Sequence, residues 1–360
     1  MEVFAVQTLI LTGGGSAGHV VPNLALAPEL RKHFRLAYIG TDGIEKKLAE
    51  RAGIPFYAIP AAKLIRGSVR ANLSLPLRFR ASVRAAKQAL REAGADVVFS
   101  KGGYVALPVV WAAAALGIPA VTHESDRTPG LANKLIARRC AAALTSFPET
   151  AKLLRGGVFT GPPIRRELFA GNRAQALYKY GFSGEKPVLL AFGGGSGSAA
   201  LNRALEGALP ALLPRCDVLH IRGRASESEG RRAGYVPLAY EPDMASAYAC
   251  ADYVLARAGS NTVFEVLALR KCALFVPLEN RRSRGDQAQN AAYFERQGLC
   301  RVLHERDLTP ARLSGALRAL AADAALKRRL AEADFTDGNR AIVAAILRAA
   351  HETDGDLCHA

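Results

Sequence analysis

The sequence predicts two α/β domains, each built around a doubly wound parallel sheet. Short apolar segments of strand length alternate with segments of helical periodicity, which is the pattern of parallel sheets covered by helices. This pattern begins with a strand and a glycine-rich turn at residues 7–19, and it begins again in the same way at residues 188–198. The chain has 360 residues, enough for two domains of about 150 to 180 residues each.

The first domain is predicted over residues 1–163. Gln7–Thr12 is an apolar strand, and Val20–Leu30 is a helix that tolerates Pro22 in its first turn. The turn between them spaces its glycines as Gly-x-Gly-x-x-Gly, which suits a phosphate-bearing ligand when it joins a strand to a helix. A dinucleotide site also needs an acidic residue after the next strand, and Asp42 lies two residues later than expected.

Two further strands of this domain, Val97–Ser100 and Ala120–Glu124, also end in glycine-rich or polar turns. The carboxyl ends of parallel strands meet at one edge of a sheet, so these turns should lie close to the first one. Such convergence is typical of a cleft. The residues it would gather are His19, Tyr104, Glu124 and Asp126. A surface or capping role for His19 remains an alternative.

The second domain is predicted over residues 164–338. Two consecutive prolines make Phe159–Arg165 a stiff linker. Beyond the linker, Val188–Phe192 is a strand, Gly193–Ser198 is a loop suited to phosphate, and Ala199–Leu213 is a helix. The last segment, 339–360, carries a helix that is a candidate to pack back onto the first domain.

The segment from Tyr253 to Asn290 suggests a ligand. It predicts a strand, a tight turn at Arg257–Asn261 and a helix over Thr262–Leu269, with Ser260 or Asn261 as the N-cap. The positive end of such a helix suits a diphosphate. Glu265, one turn into the helix, could accept hydrogen bonds from two ribose hydroxyls. A polar loop, Arg281–Gln287, follows the next strand, where open α/β sheets place ligand-binding groups.

The formal net charge of +16 favours anionic partners, namely nucleotides, anionic lipids or nucleic acid. Lys63–Arg91 holds eight Lys or Arg and no Asp or Glu, interleaved with Leu and Phe. This segment is either a solvated face or a surface for an anionic membrane. Its aromatic residues are too few for a platform that stacks nucleic-acid bases, so we expect no nucleic-acid partner.

The six cysteines have no metal-type spacing and are expected to be free thiols. The first eleven residues lack the basic region of a secretory signal, which favours a reducing cytoplasm. The uncharged run Tyr104–Thr122 is broken by two prolines and a glycine, so it predicts a buried helix followed by a strand rather than a membrane span.

Five blocks of the sequence stand out for their glycines and polar residues. They are GGGSAGHVVPNLALA at 13–27, KGGYVALP at 101–108, HESDRTPGLANK at 123–134, GPPIR at 161–165, and RAGSNTVFE with RGDQAQNA between 257 and 291. Together they resemble the MurG family, which transfers N-acetylglucosamine (GlcNAc) from UDP-GlcNAc to the lipid-linked muramyl-pentapeptide precursor of peptidoglycan. The resemblance runs in order over nearly the whole chain, and the HESD and RGDQ forms are most similar to those of Gram-positive members.

The resemblance implies a GT-B fold, in which two Rossmann-like domains face each other across a cleft. It implies that the first domain binds the polyprenyl-diphosphate-linked muramyl pentapeptide at Ser16, Gly18, His19, Gly102, Gly103, Tyr104, Glu124 and Asp126. It implies that UDP-GlcNAc binds mainly to the second domain, with Glu265 on the ribose and the backbone near Tyr240 and Glu241 on the uracil. The other donor-binding positions are Ser16, Ala17, Gly18, Arg165, Gly195, Ser196, Ser260, Asn261, Thr262, Asp286 and Gln287.

The implied reaction inverts the sugar carbon and needs a base and a means of stabilising the leaving diphosphate. We expect His19 to be the base, with Glu124 or Asp126 as substitutes. The helix end at Ser260–Thr262 and Arg165 would stabilise the diphosphate, which makes a metal dispensable, and no cofactor is expected. The chain departs from the family where Gly195 replaces a phosphate-contacting serine, so Ser196 or the bare backbone would take over.

Three alternatives stay open at this point. An NAD-dependent oxidoreductase would use Gly13–Gly18, although the second glycine-rich loop and Glu265 argue against it. A catalytically silent relative would bind a sugar nucleotide or lipid without turnover. A related glycosyltransferase would act on another lipid acceptor. The family resemblance also implies a peripheral location on the cytoplasmic face of the cell membrane.

Overall fold

The computed structural model describes residues 6–64, 69–195, 197–223, 230–279, 284–335 and 337–357. The chain divides into two compact units. The first unit comprises residues 1–164 and 337–360, and the second comprises residues 165–336. Each unit is built around its own parallel sheet, so the prediction of two doubly wound α/β domains is confirmed.

The first unit contains a seven-stranded parallel sheet in the order β3-β2-β1-β4-β5-β6-β7. The central strand β1 is fully buried, which explains its continuous apolar composition. The elements of this unit before the linker are β1 (Thr8–Thr12), α1 (Val21–Leu30), β2 (Arg35–Gly40), α2 (Ile44–Arg51), β3 (Phe56–Ala58), α3 (Val69–Asn72), α4 (Leu75–Glu92), β4 (Val97–Ser100), α5 (Gly103–Ala114), β5 (Ala120–Glu124), α6 (Leu131–Ala137), β6 (Ala142–Thr145), α7 (Pro148–Ala151) and β7 (Gly157–Phe159).

The second unit contains a six-stranded parallel sheet in the order β10-β9-β8-β11-β12-β13. Its strands are short apolar segments, and β8 and β9 are fully buried. The elements are α8 (Arg173–Tyr180), β8 (Val188–Phe192), α9 (Ala199–Leu212), β9 (Asp217–Ile221), β10 (Tyr235–Leu238), α10 (Met244–Cys250), β11 (Tyr253–Ala256), α11 (Ser260–Ala268), β12 (Cys272–Phe275), α12 (Asp286–Arg296), β13 (Arg301–Val302), α13 (Pro310–Ala321) and α14 (Ala324–Glu332).

The last helix, α15 (Asn339–Leu357), belongs to the first unit. Its residues Ile342 and Ile346 are buried in the same apolar cluster as Leu9 and Leu11 of β1. The side chain of Asn339 fixes the start of the helix, because it accepts a hydrogen bond from Ile164 N at 2.9 Å and donates one to Ile164 O at 2.8 Å. The C-terminal helix thereby returns the chain to the sheet on which it began.

The strand order of each sheet reverses at one pair of neighbours, β1 with β4 in the first unit and β8 with β11 in the second. At such a switch point the loops leaving the two strands diverge and leave a crevice. The glycine-rich loops predicted from the sequence follow β1, β4, β8 and β11. Glycine-rich loops therefore line both switch points.

Two local predictions were wrong. The N-cap of α11 is Gly259 rather than Ser260 or Asn261, because Ser260 already has helical backbone. Asp286 and Gln287 lie in the first turn of α12 rather than in a loop. The run Tyr104–Thr122 falls mainly in helix α5 and strand β5. Within the described ranges, no helix combines the length and the apolar character that crossing a bilayer requires.

Candidate active site

Buried polar side chains form hydrogen bonds with the backbone of the loop after β1. Tyr38 donates a hydrogen bond from its hydroxyl to Gly13 O at 2.6 Å. The buried carboxylate of Glu45 accepts hydrogen bonds from Thr41 N at 3.1 Å and from Gly15 N at 3.4 Å. One backbone donor of this loop is thus already satisfied by a carboxylate. The sequence pattern does not single out Glu45. Its signal is its position in the first turn of α2, the helix that follows the next strand.

The same loop places Ser16 and His19 next to each other. Ala17–His19 forms a single 3-10 turn, with Ser16 in extended conformation before it. Ser16 Oγ and His19 Nδ1 are 3.1 Å apart, which is hydrogen-bonding distance. Ser16 and Gly18 are exposed, and His19 is half-buried. The hydrogen bond holds the imidazole in place through its Nδ1 atom.

The loop after β4 packs directly against this first loop. Gly102 has a positive φ of 82°, and a β-carbon there would overlap the amide of Asn133. Gly103 donates its N–H to Asn133 Oδ1 at 3.1 Å. A β-carbon at Gly103 would lie 3.5 Å from the ring of His19, and one at Gly15 would meet the ring of Tyr104. The structure therefore brings together His19, Gly102, Gly103 and Tyr104, as the sequence predicts.

Glu124 ends β5 and organises the loop that follows. Its carboxylate accepts hydrogen bonds from Asp126 N at 2.9 Å, Gly130 N at 3.3 Å and Asn133 Nδ2 at 2.7 Å. Burial raises the pKa of Glu124, with a further contribution from the negative charge of Asp126. Asp126 itself is half-buried at the start of the loop. Glu124 thus links the loops after β4 and β5 through Asn133.

In the second unit, the loop after β8 is anchored by Ser198 and Arg257. Ser198 caps α9 by accepting a hydrogen bond from Leu201 N at 3.4 Å. The guanidinium of Arg257 donates to Ser198 Oγ at 2.7 and 3.1 Å. Gly195 is exposed at the tip of this loop, and Ser196 lies outside the described residues. A buried positive charge therefore lies behind the second glycine-rich loop.

Arg257 also binds the loop after β12. It donates to the carbonyls of Val276 and Pro277 at 3.2 Å each, and it pairs with Glu305. One buried guanidinium therefore joins three segments around the end of β11. The sequence pattern does not single out Arg257 as a functional residue, although its place directly after a buried strand is a signal.

Helix α11 begins at this switch point. Its N-cap Gly259 offers no side chain to the first turn, and Ser260 is buried while Asn261 and Thr262 are half-buried. The backbone N–H groups and the helix dipole are oriented to favour an anion there.

Glu265 and Arg165 form a bidentate ion pair in the second unit. Arg165 Nε lies 2.8 Å from Glu265 Oε1, and its Nη2 lies 3.0 Å from Oε2. The Glu265 side chain is 10% exposed and that of Arg165 is 22% exposed. Each carboxylate oxygen has a further lone pair, so the pair fixes the carboxylate without exhausting its capacity to accept hydrogen bonds.

The other donor-side residues predicted from the sequence lie in the same unit. Tyr240 is exposed, whereas the carboxylate of Glu241 is buried and accepts hydrogen bonds from Tyr180 Oη at 2.9 Å and Asp243 N at 2.8 Å. In the first turn of α12, Gln287 Oε1 accepts a hydrogen bond from Leu278 N at 3.0 Å, which points its amide nitrogen away from that contact. Asp286 lies 3.5 Å from Arg284.

Comparison with known proteins identifies the class. The N-terminal domain of glycosyltransferase family 28 matches residues 9–145, and the C-terminal domain of the same family matches residues 188–344. Together with two doubly wound parallel sheets, these matches define a glycosyltransferase with the GT-B fold.

Similar proteins show to which family within this class the chain belongs. A Clostridium botulinum protein named UDP-N-acetylglucosamine–N-acetylmuramyl-(pentapeptide) pyrophosphoryl-undecaprenol N-acetylglucosamine transferase is 44% identical over 313 residues, which cover 84% of this chain and 88% of the relative. A Lachnospira eligens protein of the same name is 43% identical over 325 residues, covering 88% and 92%. The crystal structure of Acinetobacter baumannii MurG superposes with a TM-score of 0.71 at 26% identity, covering 95% of this chain and 99% of that one. This chain belongs to the MurG family.

Proposed function

We propose that the chain transfers GlcNAc from UDP-GlcNAc to an undecaprenyl-diphosphate-linked muramyl pentapeptide, with inversion at the sugar carbon. The substrate pair follows from the names of relatives that match most of the chain. The observation that carries the proposal is the start of α11, where the N-cap Gly259 supplies no capping side chain and buried Glu265 follows about one turn into the helix. This combination suits the diphosphate and the ribose of one nucleotide.

The nucleotide would bind along α11. Its diphosphate would accept hydrogen bonds from the helix end at Ser260–Thr262, and its ribose hydroxyls would donate to Glu265. Arg165 supports this role because its fork holds the carboxylate in one orientation. The exposed loop around Gly195 and Ser196 would cover the diphosphate, and the backbone near Tyr240 and Glu241 would bind the uracil.

The sugar of the donor would contact the start of α12. Gln287 already uses its carbonyl oxygen on Leu278 N, so its amide is oriented to donate to a GlcNAc hydroxyl. Asp286, next to it, would accept from another hydroxyl. Because a site built to bind sugar hydroxyls leaves polar groups unpaired when a hydroxyl is missing, these two residues would select the sugar.

The acceptor hydroxyl would be activated at the first switch point. A base must take its proton as its oxygen bonds to the sugar carbon, while the bond from that carbon to the diphosphate breaks and UDP leaves. His19 is the best candidate, since an imidazole accepts protons near neutral pH and this one is half-buried beside Gly103. The carboxylate of Glu124 is committed to three hydrogen bonds and is better suited to positioning the loop that carries Asp126.

Stabilisation of the leaving UDP would come from the protein alone. The dipole of α11 and the buried charge of Arg257 behind the neighbouring loop both favour the diphosphate as its charge grows. The guanidinium of Arg165, which is paired with Glu265, would also help to stabilise the leaving diphosphate. We therefore propose that the reaction needs no metal ion and no cofactor.

Helix α4 and the segment before it would contact the cytoplasmic face of the cell membrane. Leu73 and Leu77 are 73% and 68% exposed, and Lys63 is exposed as well. Basic residues of α4, including Arg78, Arg80 and Arg84, are also exposed. Apolar side chains beside several positive charges favour an anionic lipid surface, at ~1 kcal/mol for each basic residue near it.

Transfer of radiolabelled GlcNAc from UDP-GlcNAc to a lipid-diphosphate-muramyl-pentapeptide acceptor, in the presence of EDTA, tests the proposal. We expect the wild-type chain to transfer the label and Glu265→Ala to lose nearly all transfer, because the ribose loses its acceptor. Glu295→Ala is the matched control, since this exposed carboxylate of α12 accepts a hydrogen bond from Val302 N at 2.9 Å and lies in the same unit. Absence of transfer by the wild-type protein despite UDP-GlcNAc binding would refute the proposed reaction.

A further inference from the structure

Lys101 is a buried lysine directly after β4, at the edge of the sheet where the loops of the first switch point begin. Only 2% of Lys101 is exposed to solvent, and it follows Val97–Ser100 at the switch point of the first sheet. Its Nζ lies 2.7 Å from His123 Nδ1 and 2.5 Å from Ser125 Oγ. A buried ammonium is costly unless its hydrogen bonds and its charge are compensated.

The hydrogen bonds of Lys101 fix both partners. His123 Nε2 lies 3.0 Å from Gly161 O, so this nitrogen carries the proton and Nδ1 accepts from the ammonium. Burial, together with the charge of Lys101, lowers the pKa of His123 and keeps the ring neutral. The chain of contacts therefore runs from the loop after β5, at Ser125, through Lys101 and His123 to the segment before the linker at Gly161.

Charge couples Lys101 to Glu124. Burial lowers the pKa of Lys101, and the negative charges of Glu124 and Asp126 oppose that shift. Burial raises the pKa of Glu124, and the positive charge of Lys101 is among the effects that oppose it. The other groups bound to Glu124 are the neutral amide of Asn133 and the backbone of Asp126 and Gly130. Each charge therefore helps the other to persist in a buried site.

We propose that Lys101 is a positioning residue, which keeps the loop after β5 in the shape that binds the acceptor by holding Ser125 directly and by binding His123, which in turn holds Gly161. The positive charge of Lys101 also favours the ionised form of Glu124. The inference rests on the proposed function, because the loop in question is the proposed acceptor side. Ionised Glu124 accepts from Asp126 N and orients Asn133, whose other end holds Gly103. Protonated Glu124 would accept fewer hydrogen bonds, because one of its oxygens would carry a proton. The loops after β4 and β5, which are joined through Glu124 and Asn133, would then both become less rigid.

The test compares Lys101→Met with the wild-type chain across pH. Methionine fills a similar volume without the charge, so Glu124 should take up a proton at a higher pH than in the wild type. We expect the KM for the acceptor to rise about tenfold near neutral pH and to recover in part at pH 9, where Glu124 ionises again while the hydrogen bond to Ser125 stays lost. The kcat and the KM for UDP-GlcNAc should change less than twofold. A purely structural role of Lys101 would give no recovery at high pH.

Glu124→Gln separates the charge from the packing. It should raise the KM for the acceptor at every pH, and adding Lys101→Met to it should produce no further dependence on pH. Lys271→Met is the matched control, because Lys271 is a half-buried lysine of the second unit that donates to Ala251 O at 2.8 Å. An acceptor KM of Lys101→Met equal to that of the wild type throughout this range would overturn the proposal.

Thermal unfolding supplies a readout that needs no substrate. A carboxyl whose pKa is raised in the folded state costs stability as pH rises from its unfolded value through its folded value. The difference in Tm between the Glu124 and Glu124→Gln chains should therefore keep growing to a higher pH in the Lys101→Met background than in the wild-type one. If the Tm difference extends to higher pH but the wild-type chain transfers no GlcNAc, the interaction between Lys101 and Glu124 stands and the proposed reaction is refuted. If the wild-type chain transfers GlcNAc but the Tm difference does not change with the lysine substitution, the interaction between Lys101 and Glu124 is refuted.

Discussion

The two glycine-rich loops after β1 and β8 have the same topology but different buried groups behind them, a carboxylate in the first unit and a guanidinium paired with Glu305 in the second. Each follows the first strand of a sheet at its switch point. In the first unit the buried carboxylate of Glu45 accepts a hydrogen bond from Gly15 N. In the second unit the buried guanidinium of Arg257 donates to Ser198. One loop thus has a donor satisfied by an anion of the protein, and the other has a cation beside it.

This difference teaches that a glycine-rich turn alone does not identify a phosphate site. A nest of backbone N–H groups attracts an anion only where no carboxylate already occupies it. The second loop, with Arg257 behind it and the start of α11 beside it, suits the diphosphate of a nucleotide. The first loop, with Glu45 behind it and His19 at its end, suits a neutral hydroxyl that must give up a proton.

Removal of His19 should abolish the proposed role of the first loop, and it should have the largest effect on the rate of transfer. We expect His19→Ala to lower kcat by about two to four orders of magnitude, the usual contribution of a general base. The KM for UDP-GlcNAc should stay within twofold. His33→Ala is the control, since His33 is exposed in the same unit. Steady-state transfer kinetics measure both constants, and normal turnover of His19→Ala would reject His19 as the base.

Substitution of Arg257 should weaken the donor side by a smaller amount. Arg257→Lys keeps the charge but loses the planar fork that reaches Ser198 and the carbonyls of Val276 and Pro277 at once. We expect the KM for UDP-GlcNAc to rise about tenfold, or about 1.4 kcal/mol, with little change in the KM for the acceptor. The control is Arg296→Lys at the exposed end of α12. A rise confined to the acceptor KM would contradict the assignment.

Changes on the surface of α4 should sharpen the comparison by leaving both switch points intact. Replacing Leu73 and Leu77 by serine should weaken binding to vesicles containing anionic lipid about fivefold, because two exposed apolar side chains no longer enter the lipid interface. Transfer to a water-soluble acceptor should be unchanged. Tyr178→Ser, at a 90% exposed residue of the second unit, is the control in a vesicle sedimentation assay. Unaltered vesicle binding would contradict the assignment of α4 and the segment before it as the membrane-contacting surface.

Much of the fold follows from local sequence patterns. The apolar strands and the glycine-rich turns that end them are local features, so Val188–Phe192 is found with the predicted bounds. The start of α11 was misplaced because Ser260 and Asn261 are good capping residues, yet the helix begins at Ser260, two residues before the predicted start at Thr262. The start of α12 at Asp286 was missed because its first turn is polar and lacks an apolar face.

The contacts between distant residues could not be predicted in the same way. The pairing of Arg165 with Glu265 joins residues 100 positions apart, and that of Arg257 with Glu305 joins residues 48 positions apart. Such pairs depend on how strands and helices are arranged in space, and spacing along the chain carries no signal for them. The burial of Lys101 is of the same kind, since a lysine after a strand is usually expected in solvent.

Calorimetric titration with UDP tests the division between the two switch points most directly. The account predicts that His19→Ala binds UDP with the wild-type Kd and that Arg257→Lys binds it about tenfold more weakly. Both variants should retain the circular-dichroism spectrum of the wild type. Weakened UDP binding in His19→Ala together with wild-type binding in Arg257→Lys would contradict the account, because it would place the nucleotide at the first switch point.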